Sequence, residues 1–161
     1  MLSMNISKRY YIISGLLFGL CLFLFLKYIC CPIVIRDESL PYHFGIACRI
    51  CDSINKGDII GFKKYFPDKY IPADVTLVKK VACVSGDRLL VMGKVYYCSG
   101  KLISIAKDKD RKGNKVDNFK FNGVIPDGKL FVIGTHKDSY DSKYFGFIDT
   151  SKVTYKVYPL L

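Results

Sequence analysis

The chain has 161 residues, half of them hydrophobic, and 25 Lys and Arg against 14 Asp and Glu give it a net charge of +11. This length leaves room for one membrane anchor and one modest folded domain, and the many apolar and aromatic residues exclude a disordered chain. The lysines are spread along the chain without a recognisable DNA- or RNA-binding module, so the charge predicts a basic surface near anionic lipid and no nucleic-acid partner.

The first predicted element is a membrane-spanning helix. Residues 10–29 read YYIISGLLFGLCLFLFLKYI, about 20 mostly apolar residues, which is the length a helix needs to cross a bilayer. Lys27 lies close enough to its end to reach the interface, and Lys8 and Arg9 before it favour a cytoplasmic N-terminus. We therefore predict a short cytoplasmic segment (1–9), an anchor (10–31) and a periplasmic domain (36–161) at a bacterial inner membrane.

A cleaved signal peptide is the alternative for this segment. The apolar region of such a peptide has about 7 to 15 residues and ends at small residues. Here the apolar run is longer and ends in Tyr-Ile-Cys-Cys-Pro at 28–32. The length favours a retained anchor.

Four cysteines lie beyond the anchor, in a compartment that permits disulfides. Cys48 and Cys51 have the spacing of a redox motif without its βαβ setting, which favours a local disulfide or two buried thiols. The pairing among these two, Cys83 and Cys98 stays open. The two histidines add no zinc-ligand spacing, so we predict no metal and no cofactor.

Beyond the anchor, the pattern predicts a mainly β domain with antiparallel strands. Short apolar runs alternate with turn residues, and no stretch has sustained helical periodicity. The predicted strands are residues 58–62, 76–84, 88–92, 95–97 and 129–133. The charged residues 107–120 predict an exposed loop or hairpin.

Four segments in a fixed order carry the candidate chemistry. They are Glu38-Ser39-Leu40-Pro41, residues 56–62 (KGDIIGF), residues 78–87 (VKKVACVSGD) and residues 134–146 (GTHKDSYDSKYFG). Each alone is a weak signal. In this order they resemble the signal peptidase I superfamily of Ser/Lys peptidases (S26), and the resemblance extends from the anchor to about residue 148.

The resemblance implies that Ser39 is the nucleophile and Lys79 the general base. In the family, a serine in a Ser-x-Pro context follows the anchor, and a Lys-Arg pair leads into a Pro-Gly-Asp turn. Ser139 and Asp141 resemble the family residues that hold the general base and the side chain of residue 143 in place. The implied supporting residues are Lys80, Ser139, Asp141, Ser142 and Lys143.

The strand pattern around the lysine suits this chemistry. A serine hydroxyl needs a base to take its proton, and a lysine serves only as a neutral amine, which burial favours. Alternation along the strand turns Lys79 inward and Lys80 outward. Ser39 would then attack the scissile carbonyl, Lys79 would pass the proton to the leaving amine, and water would hydrolyse the acyl-enzyme.

The expected partners are inner-membrane lipid and either a signal-peptide-bearing preprotein or a pilin precursor. Glu-Ser-Leu-Pro resembles the motif of the TraF-type peptidases of conjugative transfer more than that of the housekeeping enzyme, which implies pilin maturation. General preprotein processing is the alternative. Thr135-His136 stands where the family has Asp-Asn, and Lys80 and Lys143 replace arginines, which keeps open a non-catalytic scaffold of a secretion or conjugation complex.

Overall fold

A computed structural model describes residues 6–36, 39–49, 53–72 and 75–160 of the chain. Glu38 of the serine motif and Cys51 lie outside the described residues. The chain divides into two compact units, residues 1–31 and residues 32–161.

The first unit contains one long helix, α1 (Ile6–Ile29). Its segment Lys8–Ile29 has a mean hydropathy of 2.2, and none of that segment is buried inside the structure. By length and composition this helix is able to cross a membrane.

Strands dominate the rest of the chain and form two sheets. In chain order they are β1 (Cys30–Val34), β2 (Phe44–Arg49), β3 (Ile59–Lys63), β4 (Thr76–Cys83), β5 (Arg88–Met92), β6 (Val95–Cys98), β7 (Lys101–Ile105), β8 (Gly123–Val124), β9 (Lys129–Ile133), β10 (Ile148–Asp149) and β11 (Val153–Leu160). A short helix, α2 (Ser142–Phe145), precedes β10, and a 3-10 turn (Thr150–Lys152) follows it.

The larger sheet has the order β1-β2-β11-β3-β4-β9-β10, and the smaller has the order β7-β6-β5-β8. The pairings between β2 and β11, and from β11 through β3, β4 and β9 to β10, are antiparallel, as are those of the smaller sheet. The prediction of a mainly antiparallel β fold is confirmed.

Apolar side chains cover both faces of the larger sheet. Ile60, Val81 and Val132 belong to a core on one face, and Ile59 and Val157 belong to a core on the other. A third core, which includes residues of the smaller sheet such as Leu89 and Tyr96, also contains Phe131 of β9. A disulfide between Cys83 of β4 and Cys98 of β6 links the two sheets covalently. It identifies one of the cysteine pairs that the sequence left open.

The structure confirms the five predicted strands, as β3, β4, β5, β6 and β9, to within one residue at each end. Residues 107–120 form the expected exposed stretch, with a backbone bridge between Lys109 and Lys115. The other strands were not predicted.

Candidate active site

Strand β4 places Lys79 inside the domain. Along this strand buried residues alternate with more exposed ones, and Lys79 is only 2% exposed. Its neighbour Lys80 is exposed, as the alternation predicted. Lys79 pairs with Ile60 of β3, whose side chain belongs to the apolar core on that face.

Ser39 is also buried, and its main chain is fixed by a distant segment. The carbonyl oxygen of Ser39 accepts hydrogen bonds from the main-chain N–H groups of Thr135 (2.7 Å) and His136 (3.2 Å). The hydroxyl of Thr135 lies 3.3 Å from the same oxygen. Two of these three donors are main-chain groups, which do not depend on the side chains at Thr135 and His136.

Gly134 is the point where the candidate residues meet. A Cβ atom at this position would lie 2.0 Å from Ser139 Oγ and 2.8 Å from the carbonyl oxygen of Ser39. Lys80 pairs with Ile133, the last residue of β9, and the same register continued by one residue would set Gly134 opposite Lys79. Opposed residues of antiparallel strands project on the same face. Ser39, Ser139 and Lys79 therefore share one side of the sheet beside Gly134.

The hydroxyl of Ser139 makes no hydrogen bond among the residues that the structure describes, although it is buried. Buried polar groups are usually hydrogen-bonded, and those that are not often serve a function. A hydroxyl next to the Ser39 main chain is placed to interact with a substrate or with a neighbouring amine.

A buried ion pair holds in place the segment that carries Ser139. Lys143 Nζ lies 2.7 Å from Asp141 Oδ2, and both side chains are almost fully buried. The same carboxylate oxygen accepts the main-chain N–H of Gly134 at 2.9 Å, while Asp141 Oδ1 caps α2 by accepting the N–H of Lys143. The pair thus ties α2 to the end of β9, where Gly134 lies.

The remaining predicted residues lie at the edge of this arrangement. Ser142 Oγ accepts the main-chain N–H of Val132 at 3.0 Å, so it fixes the segment to β9. Lys80 projects from the opposite face to Lys79 and lines a cavity of about 300 Å³ together with Asp58 and Thr135. The structure thus brings Ser39, Lys79, Ser139, Asp141 and Lys143 to one region, while Lys80 lies on the other face of β4, in a cavity that also borders Leu40 and Thr135 beside Ser39.

Two residues that contribute to this site, Gly134 and Tyr96, were not predicted from the sequence. Gly134 heads the last motif, and its position there was the only available signal. The hydroxyl of Tyr96 lies 2.9 Å from the carbonyl oxygen of Lys143 and 2.6 Å from that of Phe119, and burial raises its pKa, so it remains a proton donor. No local pattern around Tyr96 indicates this contact, which spans 47 residues of sequence.

Three potential metal ligands come together in the described part of the chain, namely Cys83, Asp87 and Cys98. The two sulfur atoms are already bonded to each other, so we assign no metal to this group. Burial opposes the ionisation of Asp87, but hydrogen bonds from Lys56, from the N–H of Val84 and from Ser99 hold its pKa below the ordinary value.

The sequence matches one family profile and resembles individual proteins of known kind. The family profile described as "Signal peptidase, peptidase S26" matches residues 4–159. A signal peptidase I of Bacillus caldolyticus is 29% identical over 115 residues, which cover 65% of this chain and 59% of that protein. A crystal structure of a signal peptidase I from Enterococcus faecalis matches with 20% identity and a TM-score of 0.42 over 68% of this chain and 98% of that one.

Proposed function

This chain belongs to the signal peptidase family, peptidase S26, and we propose that it is a membrane-anchored serine endopeptidase that removes signal peptides from exported preproteins. The observation that supports this proposal best is the meeting at Gly134 of the Ser39 main chain, the Ser139 hydroxyl and the face of β4 that carries the buried Lys79.

In the proposed reaction, Ser39 Oγ attacks the carbonyl carbon of the scissile peptide bond while Lys79 Nζ accepts its proton. The lysine then donates this proton to the leaving amine, and water hydrolyses the acyl-enzyme by the reverse sequence. Lys79 is almost fully buried, so its amine would act inside the domain and away from bulk water.

The supporting residues have separate proposed roles. We assign to the Ser139 hydroxyl the orientation of the Lys79 amine, and to the ion pair of Asp141 and Lys143 the position of Ser139 itself. Ser142 holds the same segment against β9. Lys80 lies on the opposite face of β4 from Lys79, and its proposed role is at the surface that it shares with Asp58 and Thr135.

The proposed topology puts residues 1–9 in the cytoplasm, residues 10–31 in the inner membrane and residues 36–161 on the periplasmic side. Lys8 and Arg9 before the helix favour this orientation. The disulfide between Cys83 and Cys98 supports it as well, because disulfides persist in the periplasm and are rare in the cytosol. The anchor would bring the domain to the lipid from which its substrates emerge.

The substrate is proposed to be a signal-peptide-bearing preprotein. A second candidate is the pilin precursor of a conjugation apparatus, which is favoured by the Ser39-Leu40-Pro41 sequence with its likeness to the TraF-type motif. The two candidates are distinguished by which precursor is cleaved with the higher kcat/KM.

The proposed function is tested with the full chain and its Ser39→Ala variant in proteoliposomes. Each is incubated with a signal-peptide-bearing precursor and with a pilin precursor, and the new N-terminus is identified by mass spectrometry. We expect the wild-type chain to cut one site and the variant to cut none. Equal cleavage by the folded Ser39→Ala variant, or no cleavage of either precursor by wild type, would overturn the proposal in favour of a non-catalytic scaffold.

A further inference from the structure

A cavity of about 560 Å³ in the same domain is lined by neither Ser39 nor Lys79. Its walls come from residues 69–70, from the charged stretch 107–116 and from Asp138, Tyr140 and Tyr144 around α2. Five of the lining residues are basic and two are acidic, so the wall has a net charge of +3. The basic residues are Lys69, Lys107, Lys109, Arg111 and Lys112.

Both acidic residues of the wall are already engaged within the protein. Asp138 forms ion pairs with Lys107 and Arg111, and the hydrogen bond from Lys107 holds its pKa below the ordinary value. Asp110 accepts hydrogen bonds from the side chain and N–H of Asn114 and from the N–H of Lys112, which lower its pKa too. These carboxylates stay ionised and occupied, so the surplus of positive charge remains for a ligand.

Three tyrosines form the apolar part of the wall. The ring centroids of Tyr70 and Tyr140 are 5.0 Å apart, and those of Tyr140 and Tyr144 are 5.2 Å apart. The hydroxyl of Tyr70 is buried without a hydrogen-bond partner among the described residues. Lys69 Nζ lies 4.8 Å from the centre of the Tyr70 ring, so a cation stands beside this hydroxyl-bearing wall.

We propose that this cavity binds an acidic stretch of the polypeptide substrate, on the mature side of the cleavage site. The inference rests on the proposed function, because it is a peptide substrate that would bring such a stretch to the domain. A signal peptide has a positively charged start, an apolar middle and a small-residue end. Acidic side chains near the cut therefore belong to the mature protein.

The cavity is connected to the candidate active site through one shared residue. Lys107 lines this cavity and also a second one, of about 480 Å³, that borders Gly134, Thr135 and His136. A chain that leaves the neighbourhood of Ser39 along this wall meets Lys107 before it reaches Lys109 and Lys112. Anionic lipid has similar charge, but the tyrosine wall fits a peptide, whose side chains offer apolar groups and carboxylates next to each other.

The test uses the full chain in a neutral detergent and two peptide substrates. Both carry the same signal-peptide cleavage segment, followed on the mature side by a stretch of Glu, Asp and Tyr or by the matching stretch of Gln, Asn and Tyr. We expect KM for the acidic peptide to be about five- to tenfold lower, since several exposed charge pairs each contribute modestly. This preference should vanish at about 1 M salt, which screens exposed charges.

A charge-reversal variant and a matched control locate the effect. In Lys109→Glu/Lys112→Glu the preference should disappear or invert. In Arg88→Glu/Lys101→Glu, which changes the net charge equally at exposed positions that do not line the cavity, the preference should remain. Equal KM values for the two peptides with wild type, or equal loss in both variants, would overturn the proposal.

A binding measurement separates this proposal from the proposed function. Fluorescence anisotropy of the labelled acidic stretch alone, with the Ser39→Ala chain, reports binding whether or not the chain cleaves peptides. Tighter binding of the acidic stretch than of the amide stretch, lost in Lys109→Glu/Lys112→Glu, supports the cavity even if no precursor is cut. Binding of anionic vesicles that is lost in Lys109→Glu/Lys112→Glu, without binding of the acidic stretch, would assign the cavity to lipid and overturn the proposal.

Discussion

The buried ion pair between Asp141 and Lys143 offers the sharpest test of how the site is held. Replacing Asp141 by Asn keeps the shape of the side chain and removes its charge. Lys143 is 1% exposed, so its ammonium group would then lie inside the protein without the carboxylate that lies 2.7 Å from it. Ser139, which precedes this pair on the same segment, should lose its fixed position beside Gly134.

The expected size of the effect follows from the burial. Removing one partner of a buried pair costs about 3 to 5 kcal/mol, a large share of the roughly 5 to 15 kcal/mol by which a domain is stable. For a domain of this length about 1 kcal/mol shifts Tm by about 3 to 5 °C. We therefore expect Asp141→Asn to lower Tm by about 10 to 20 °C.

The assay is thermal unfolding of the full chain in one detergent, followed by the near-ultraviolet circular dichroism of its 12 tyrosines. The double variant Asp141→Asn/Lys143→Met, which replaces the pair by uncharged groups, should regain most of the loss. Asp108→Asn is the control, because the pair of Asp108 with Lys94 is exposed and should be worth less than about 1 kcal/mol. The reasoning is refuted if Asp141→Asn melts within about 3 °C of the control, or if the double variant is no more stable than the single one.

Two further predictions follow from the contacts of single residues. Gly134→Ala puts a methyl group 2.0 Å from Ser139 Oγ, so it should lower the free energy of unfolding by about 1 to 3 kcal/mol and remove most of the peptidase activity. Gly15→Ala, whose added methyl group has nothing within 4 Å, should leave both stability and activity unchanged in the same assays. Asp87→Asn removes a carboxylate that accepts from Lys56 and whose pKa is lowered in the folded chain. The contribution of this carboxylate to the free energy of unfolding is present above about pH 4 and is lost as the pH falls further. The difference between this variant and wild type in urea unfolding should therefore shrink towards about pH 2; a difference that stays constant over this range would contradict the assignment.

The strands that could be predicted are those whose pattern of apolar and polar residues matches the burial of their two faces. In β4 and β5 buried and exposed residues alternate, and in β3 the four residues from Ile59 to Phe62 are all buried between two cores. Such patterns are readable because they reflect one or two covered faces.

Strand β11 shows why other elements could not be predicted. It lies between β2 and β3, yet it contains a lysine and a proline, which are typical of edges and loops. Lys156 is buried there because Asp58 lies 3.0 Å from its amine and the carbonyl oxygen of Ser53 accepts from it. These partners are about 100 residues away, so no local pattern could reveal them.

The candidate site likewise has parts that could be predicted from the sequence and parts that could not. The inward orientation of Lys79 follows from alternation along one strand. The position of Ser39 depends on its carbonyl bonds to the segment after β9, which are separated from it by 96 residues. Neither the role of Gly134 as the meeting point nor the hydroxyl contact of Tyr96 with the segment of Lys143 is encoded locally, since both arise from tertiary packing.

Adjacent lysines on opposite faces of β4 allow the central claim, a Ser/Lys peptidase with Lys79 as its base, to be tested most directly. The measurement is kcat for one precursor with the wild-type, Lys79→Met and Lys80→Met chains, each confirmed as folded by its melting curve. A general base contributes about 10²- to 10⁴-fold to the rate, so Lys79→Met should lose at least that factor and Lys80→Met less than tenfold. Comparable kcat values for the two variants, or a larger loss in Lys80→Met, would contradict the account.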